Sequence, residues 1–226
     1  KDFLVDLNGV PTVPNDDQLD GAAKDWYPVT RWVDVSDKSR GVTVVPVDAP
    51  LVHLGGITTG RWARDLEPEG PNIMSWALNN HWLVNFRASQ SGEVPLRYRL
   101  TTHEGPVDVT AAARFAAESL TAPIPLRDIR PTGKTSDSFF EIEGDQPLQV
   151  SAKPGEDNGW IALRLQNLSR TEISGRIKFA IAPRAARAAD PVEHPGVEIA
   201  LDGSRLVVPL APLEIRTVLV RFPHNR

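Results

Sequence analysis

The 226-residue chain contains no cysteine and a single methionine, Met74. The missing thiols exclude a disulfide framework and a cysteine nucleophile, and they fit a cytoplasmic location without requiring it. No apolar run approaches the roughly 20 residues that a membrane-spanning helix needs. The 25 Lys and Arg residues are dispersed and outnumbered by 29 Asp and Glu, so the basic patch typical of nucleic-acid binding is missing. We therefore expect a cytoplasmic protein with neither membrane nor nucleic acid as a partner.

The start of the chain has neither an initiator methionine nor a signal peptide. The first residue is Lys1 rather than an initiator methionine, and the opening KDFLVDLNGV has no apolar signal-peptide core. We therefore expect a segment of a longer polypeptide.

Twenty prolines and sixteen glycines punctuate short apolar or alternating runs that recur about every dozen residues. This rhythm is typical of all-β proteins, and the absence of βα alternation argues against a parallel α/β sheet. The sequence therefore predicts an antiparallel β-sandwich fold. Its strands are expected at residues 29–35, 42–47, 51–57, 75–87, 96–102, 148–152, 160–167, 175–181, 197–201, 205–210 and 214–222.

One short helix is expected. Residues 107–120, VDVTAAARFAAESL, contain an alanine-rich run of good helix formers with Thr110 in the position of an N-cap. Residues 183–195 are rich in Ala, Arg and Pro, and we predict a loop there, with at most one helical turn. Proline and glycine between residues 121 and 135 indicate a boundary. We therefore predict two domains, at residues 1–120 and 121–226.

The segment SWALNNHWLVNFRASQSG, residues 75–92, raises the question of function, because asparagine is depleted in strands and this strand-like run contains three. In one interpretation its amides and imidazole bind sugar hydroxyls while a tryptophan stacks on a pyranose ring. In the other, the tryptophans belong to an inter-sheet core and the amides satisfy backbone groups. The candidate substrate-binding residues are Trp76, Asn79, Asn80, His81, Trp82 and Asn85.

Other motifs give weaker indications of function. Asp48 and His53 either approach a ligand from a sandwich rim or form an ordinary turn. The loop KPGEDNGW, residues 153–160, offers oxygen ligands for calcium, although we favour a solvated turn there. No His-x-Asp, His-Glu-x-x-His or Gly-x-Ser-x-Gly motif occurs, and no two carboxylates form a recognisable acid–base pair. We predict no catalytic residue and no metal ligand in this chain.

Five segments occur in the same order as in a known enzyme family. They are RWVDVSDKSRGVTVVPVDAPLVHLGG (31–56), SWALNNHWLVNFRASQSG (75–92), LRYRLTTHEG (96–105), LQVSAKPGEDNGWIALRLQNLS (148–169) and PLEIRTVLV (212–220). Together they resemble the C-terminal β region of glycoside hydrolase family 38, the retaining, metal-dependent α-mannosidases. The resemblance implies the final strands of a supersandwich, followed by a smaller terminal β-sandwich.

The resemblance also limits the expected function. Family members carry their zinc ligands and catalytic Asp pair in an N-terminal barrel, and no position of this chain matches those motifs. We therefore expect a non-catalytic segment of an α-mannosidase-like glycosidase acting in mannose metabolism, inactive alone and partnered by that barrel. An unpaired sheet edge would favour a homodimer of the isolated chain. The alternative is an independent carbohydrate-binding or interaction module that takes an α-mannoside.

Overall fold

A computed structural model describes residues 2–57, 63–78, 89–127, 133 and 136–223. The chain divides into two compact units, Lys1–Pro123 and Ile124–Arg226. The described strands of both units pair antiparallel and only one helix accompanies them, which confirms the predicted all-β sandwich class. Within the part of the chain that the structure describes, no helix has the length and apolar character needed to cross a membrane.

The described residues of the first unit form eight strands and one helix. These are β1 (Asp2–Leu7), β2 (Val10–Thr12), β3 (Tyr27–Pro28), β4 (Val33–Ser36), β5 (Arg40–Pro46), β6 (Leu51–Leu54), β7 (Ile73–Ser75), β8 (Tyr98–Glu104) and α1 (Val109–Leu120). One sheet has the order β2-β1-β4-β5-β8, and a smaller one has the order β3-β6-β7.

The hairpin between β1 and β2 was not predicted from the sequence. Its turn is the pair Asn8 and Gly9, with φ of 52° and 84°. Both residues therefore occupy the left-handed region, as a tight two-residue hairpin turn requires, and Asn-Gly is the dipeptide that tolerates this best. The Asn-Gly pair is itself the sequence signal for this hairpin.

The core of the first unit lies on both faces of the larger sheet. On one face, Phe3 and Val33 pack with Tyr27 and Leu54 of the smaller sheet, as alternating apolar residues of a sandwich do. On the opposite face, the helix packs against the sheet. That second cluster contains Trp32, Val45, Ala112 and Ala116.

The helix begins two residues earlier than predicted. Asp108, not Thr110, is the N-cap: its side chain accepts hydrogen bonds from the backbone N–H groups of Thr110 at 2.8 Å and Ala111 at 3.1 Å. Thr110 lies within the first turn and supplies one of the otherwise unpaired N–H groups that a cap must satisfy. The carboxylate two residues earlier is the better placed acceptor, so the prediction for Thr110 was wrong.

The described residues of the second unit form nine strands. These are β9 (Phe140–Ile142), β10 (Leu148–Pro154), β11 (Trp160–Asn167), β12 (Ile173–Phe179), β13 (Ala185–Ala189), β14 (Pro195–Glu198), β15 (Leu201–Asp202), β16 (Arg205–Leu210) and β17 (Ile215–Arg221). The sheet β10-β11-β17-β13-β14 and the sheet β15-β16-β12-β9 enclose a core that includes Leu163, Ile177, Leu206 and Val220.

Strand β13 corrects the loop predicted for residues 183–195. It pairs antiparallel with β17 along its whole length, and Ala186, opposite Val220, is only 2% exposed. Alanine has a weak strand preference, but a strand held between two others is determined by pairing and burial more than by propensity. Within residues 183–195, the chain lies outside the sheet at residues 183–184 and at the turn that contains Asp190 and Glu193.

Candidate functional site

Trp76 is the one predicted sugar-binding residue that the structure describes. Asn79, Asn80, His81, Trp82 and Asn85 lie outside the described residues. Strand β7 ends at Ser75, so the strand predicted for residues 75–87 is wrong for residues 76–78, which are described and are not in a strand. The backbone N–H of Trp76 donates to the carbonyl of Leu51 at 2.8 Å, and its indole Nε1 donates to the carbonyl of Leu78 at 2.6 Å.

Trp76 belongs to an aromatic face on the outside of the smaller sheet of the first unit. Tyr27 and Val52 are paired in the register and point into the core, so the neighbouring Trp26 and His53 point away from it. Trp26 contacts the rings of both His53 and Trp76, with 67° and 46° between the ring planes. We call Trp26, His53 and Trp76 the aromatic face.

The aromatic face is partly exposed at its tryptophans and closed at His53, which lies at one end, with Trp26 in the middle. His53 is 5% exposed, whereas both tryptophans are partly exposed. Burial lowers the pKa of His53, and the nearby Asp25 carboxylate opposes this effect only in part. The imidazole is therefore neutral at neutral pH. An apolar ring surface with a neutral polar group at one end suits the C–H face of a sugar better than it suits an ion.

Asp48, the other rim candidate, has a structural role. Its carboxylate accepts hydrogen bonds from the Arg97 backbone N–H at 2.7 Å and from the guanidinium at 2.9 Å. These bonds lower the pKa of Asp48 to about 2. The carboxylate fixes the chain before β8 and is not directed at a ligand.

A polar cavity of about 390 Å³ lies beside Lys24 and Asp65 in the same unit. The Lys24 ammonium is buried and pairs with Asp65 at 3.1 Å, and Arg64 pairs with Asp20 at 3.2 Å. The two cations that line the cavity among the described residues are thus already paired with carboxylates. The cavity therefore resembles a solvent-filled depression between loops more than an anion-binding site.

Two buried carboxylates were not predicted from the sequence. Asp34 is fully buried and accepts from the Thr43 hydroxyl at 2.6 Å and from Nε2 of His103 at 2.9 Å. Asp6 is also fully buried and pairs with Arg31, and burial raises its pKa against the effect of that guanidinium. Neither carboxylate reaches solvent, so they cannot flank a substrate bond. The available signal was an aspartate between valines in β4, a strand that is buried on both faces.

No three His, Asp or Glu side chains of the described residues are grouped so as to hold a metal ion. In the proposed calcium loop, Lys153 pairs with Glu156 at 3.2 Å and with Glu193 at 2.7 Å. These carboxylates therefore neutralise a side-chain cation of the protein itself. The solvated-turn interpretation of residues 153–160 agrees with these contacts.

Comparison with known proteins identifies the fold. No family model matches the sequence, and no curated protein matches it. Among solved structures, an alpha-mannosidase from Enterococcus faecalis V583 matches with a TM-score of 0.68 and 19% identity, over 98% of this chain and 24% of that one. A glycosyl hydrolase family 38 protein from Enterococcus faecalis matches with a TM-score of 0.65 and 18% identity, over 99% and 25%.

The chain therefore has the fold of a segment of family 38 α-mannosidases, and it spans about a quarter of the length of each neighbour. The resemblance expected from the sequence is confirmed at the level of the fold.

Proposed function

We propose that this chain is a non-catalytic β-sandwich segment from the C-terminal part of a family 38 α-mannosidase-like glycosidase. The observation that carries the proposal is the coverage: nearly the whole chain matches a quarter of an α-mannosidase. The chemistry of the described residues supports it, since their buried carboxylates are inaccessible and paired with protein groups. In this account, residues 1–120 complete a supersandwich and residues 121–226 form the terminal sandwich.

The partner in this proposal is a catalytic barrel in the same polypeptide, in a cytoplasmic enzyme of mannose metabolism. That barrel would carry out the retaining hydrolysis of α-mannosides with zinc. The described residues of this chain do not themselves fit a zinc site, because no suitable group of ligands converges among them. The role of the segment is then to hold the barrel in place, with its sheets as a rigid support.

The proposal is tested by assaying the purified chain with an aryl α-mannoside, with and without added zinc. We expect no turnover in either condition. Turnover that persists through repurification would show that the chain contains its own catalytic centre. A second check is the upstream coding sequence, which should encode a barrel with a His-x-Asp pair.

We also propose that the isolated chain forms a homodimer through strand β8. Among the described strands, β8 is the last of its sheet, and Leu100 on this strand is 64% exposed. Edge strands with exposed apolar residues pair readily with another chain. Light scattering after size exclusion should give a dimer, and Leu100→Lys should give a monomer. Val207→Lys, at a 43% exposed residue of the second unit, is the matched control and should remain dimeric.

The second candidate function, a carbohydrate-binding module, is favoured by the aromatic face. Partly exposed tryptophans on the outside of a sheet provide apolar ring surface on which a pyranose ring can stack. Titration with methyl α-mannoside should then quench tryptophan fluorescence, and Trp26→Ala or Trp76→Ala should abolish the saturable change. Trp160→Ala, at a partly exposed tryptophan of the other unit, should leave it intact. No saturable change in the unmodified chain would leave the scaffold role alone.

A further inference from the structure

A second tryptophan site lies in the terminal unit and plays no part in the proposals above. Trp160 begins β11, and because the following Ile161 packs against the core, Trp160 points to the outer face of its sheet. Arg221 is its direct cross-strand partner on β17, and Arg187 lies on the next strand, β13. Each guanidinium carbon is 5.8 Å from the centroid of the Trp160 ring. We call these three residues the arginine–tryptophan cluster.

The cluster has more cationic donors than protein acceptors. Arg187 donates to the Glu198 carboxylate at 3.0 Å, but Glu198 is 77% exposed, and Nε of Arg187 is buried without a hydrogen-bond partner in the described structure. Arg221 is exposed, and no described carboxylate pairs with it. The exposed Arg221 guanidinium therefore has N–H donors available for an incoming oxyanion.

The loops beside the cluster are held in a fixed arrangement by one residue. Glu193 has a φ of 70°, which is unusual for a residue with a side chain. Its carboxylate accepts from Lys153 at 2.7 Å, from Arg164 at 3.0 Å and from the backbone N–H of Glu156 at 2.9 Å. These bonds connect the turn after β13 to the hairpin that leads into Trp160. The cluster is therefore preorganised at its hairpin end.

We propose that the arginine–tryptophan cluster binds the carboxylate or phosphate group of an acidic sugar. Guanidinium groups present paired N–H donors that match the two oxygens of such a group. The oxyanion would lie between Arg187 and Arg221, and the sugar ring would contact the exposed part of the indole. The oxyanion site follows from the geometry of the cluster alone. The choice of a sugar as its carrier rests on the proposed function.

The experiment follows the Trp160 indole N–H in two-dimensional NMR spectra of the whole chain, with the signal assigned from Trp160→Phe. The ligands are a uronic acid, a hexose 6-phosphate, inorganic phosphate and methyl α-mannoside. We expect both acidic sugars to shift this signal saturably and to bind about tenfold more tightly than inorganic phosphate or the neutral mannoside. Arg221→Ala should weaken that binding about tenfold, and Arg221→Lys should weaken it less, because lysine keeps the charge but not the paired donors.

Arg176→Ala is the matched control, since Arg176 is an exposed arginine on the opposite sheet of the same unit. It should bind as the unmodified chain does, and thermal unfolding of each variant establishes that it is folded. Inorganic phosphate binding as tightly as the acidic sugars would overturn the sugar assignment. A Trp160 signal that responds to none of the four ligands would overturn the site itself. Neither result bears on the scaffold role, which the mannoside assay tests separately.

Discussion

Replacing Asp34 by alanine tests how the larger sheet of the first unit is held together. The fully buried carboxylate accepts from Thr43, which is 1% exposed, and from His103, whose side chain is 22% exposed. Without it, the Thr43 hydroxyl has no acceptor and no water, which costs about 1 to 3 kcal/mol, and His103 loses less because it reaches solvent. Removing the unpartnered Oδ1 of Asp34 offsets part of this loss. We expect a net destabilisation of about 2 kcal/mol.

A double-mutant cycle with urea denaturation separates this mechanism from a general packing defect. Thr43→Val alone should cost about 1 kcal/mol, because it removes a hydrogen bond. In the Asp34→Ala background the same change should cost nothing or stabilise the fold, since valine then replaces an orphaned hydroxyl. Asp2→Ala, at an exposed aspartate of the same sheet, is the control and should stay within about 0.5 kcal/mol of the unmodified chain. An equal cost for Thr43→Val in both backgrounds would show that the hydrogen bond between Thr43 and Asp34 does not stabilise the sheet.

Three further predictions concern backbone strain and pH. Gly21→Ala and Gly55→Ala both place a side chain at positive φ, of 80° and 85°, but only at Gly55 would the new Cβ meet backbone, at 2.5 Å. Urea denaturation should show that Gly21→Ala lowers the free energy of unfolding by about 1 kcal/mol and that Gly55→Ala lowers it clearly more. Equal losses would contradict this. NMR titration should give Asp48 a pKa of about 2, and Arg97→Ala should return that pKa towards the ordinary 3.8. The stabilising effect of the ionised Asp48 on the fold is complete above pH 3.8 and is lost as pH falls through about 2. The lowered pKa of His53 predicts that the free energy of unfolding decreases as pH falls from about 6.5 through the pKa of His53 in the folded chain, because the unfolded chain then binds a proton that the folded chain does not. In His53→Phe, a free energy of unfolding that no longer changes over this pH range would support the prediction. An unchanged dependence on pH would contradict it.

Strand prediction succeeded where the sequence alternates within a two-sided sandwich. Residues 205–210 alternate between exposed and buried, residues 160–167 place Ile161, Leu163 and Leu165 in the core, and the structure has both strands with the predicted bounds. It failed at β13, where alanine and arginine carry little strand signal and pairing with β17 determines the conformation. Such pairing is a property of residues distant in sequence, and a local pattern does not encode it.

The candidate site was less accessible to sequence reasoning than the strands. Trp76 was singled out because it lies in an unusual segment, but its partners in the aromatic face, Trp26 and His53, come from two other strands or their ends. Their proximity depends on the register of the smaller sheet. For the same reason the arginines beside Trp160, which are remote from it in sequence, could not be predicted.

Whether this chain is the non-catalytic segment of an α-mannosidase is decided by assaying it beside the longer polypeptide proposed to contain it, each purified, for zinc-dependent hydrolysis of an aryl α-mannoside. We expect turnover by the longer polypeptide and none by the 226-residue chain. Turnover by the chain alone, or a longer polypeptide that carries no α-mannosidase activity at all, would contradict it.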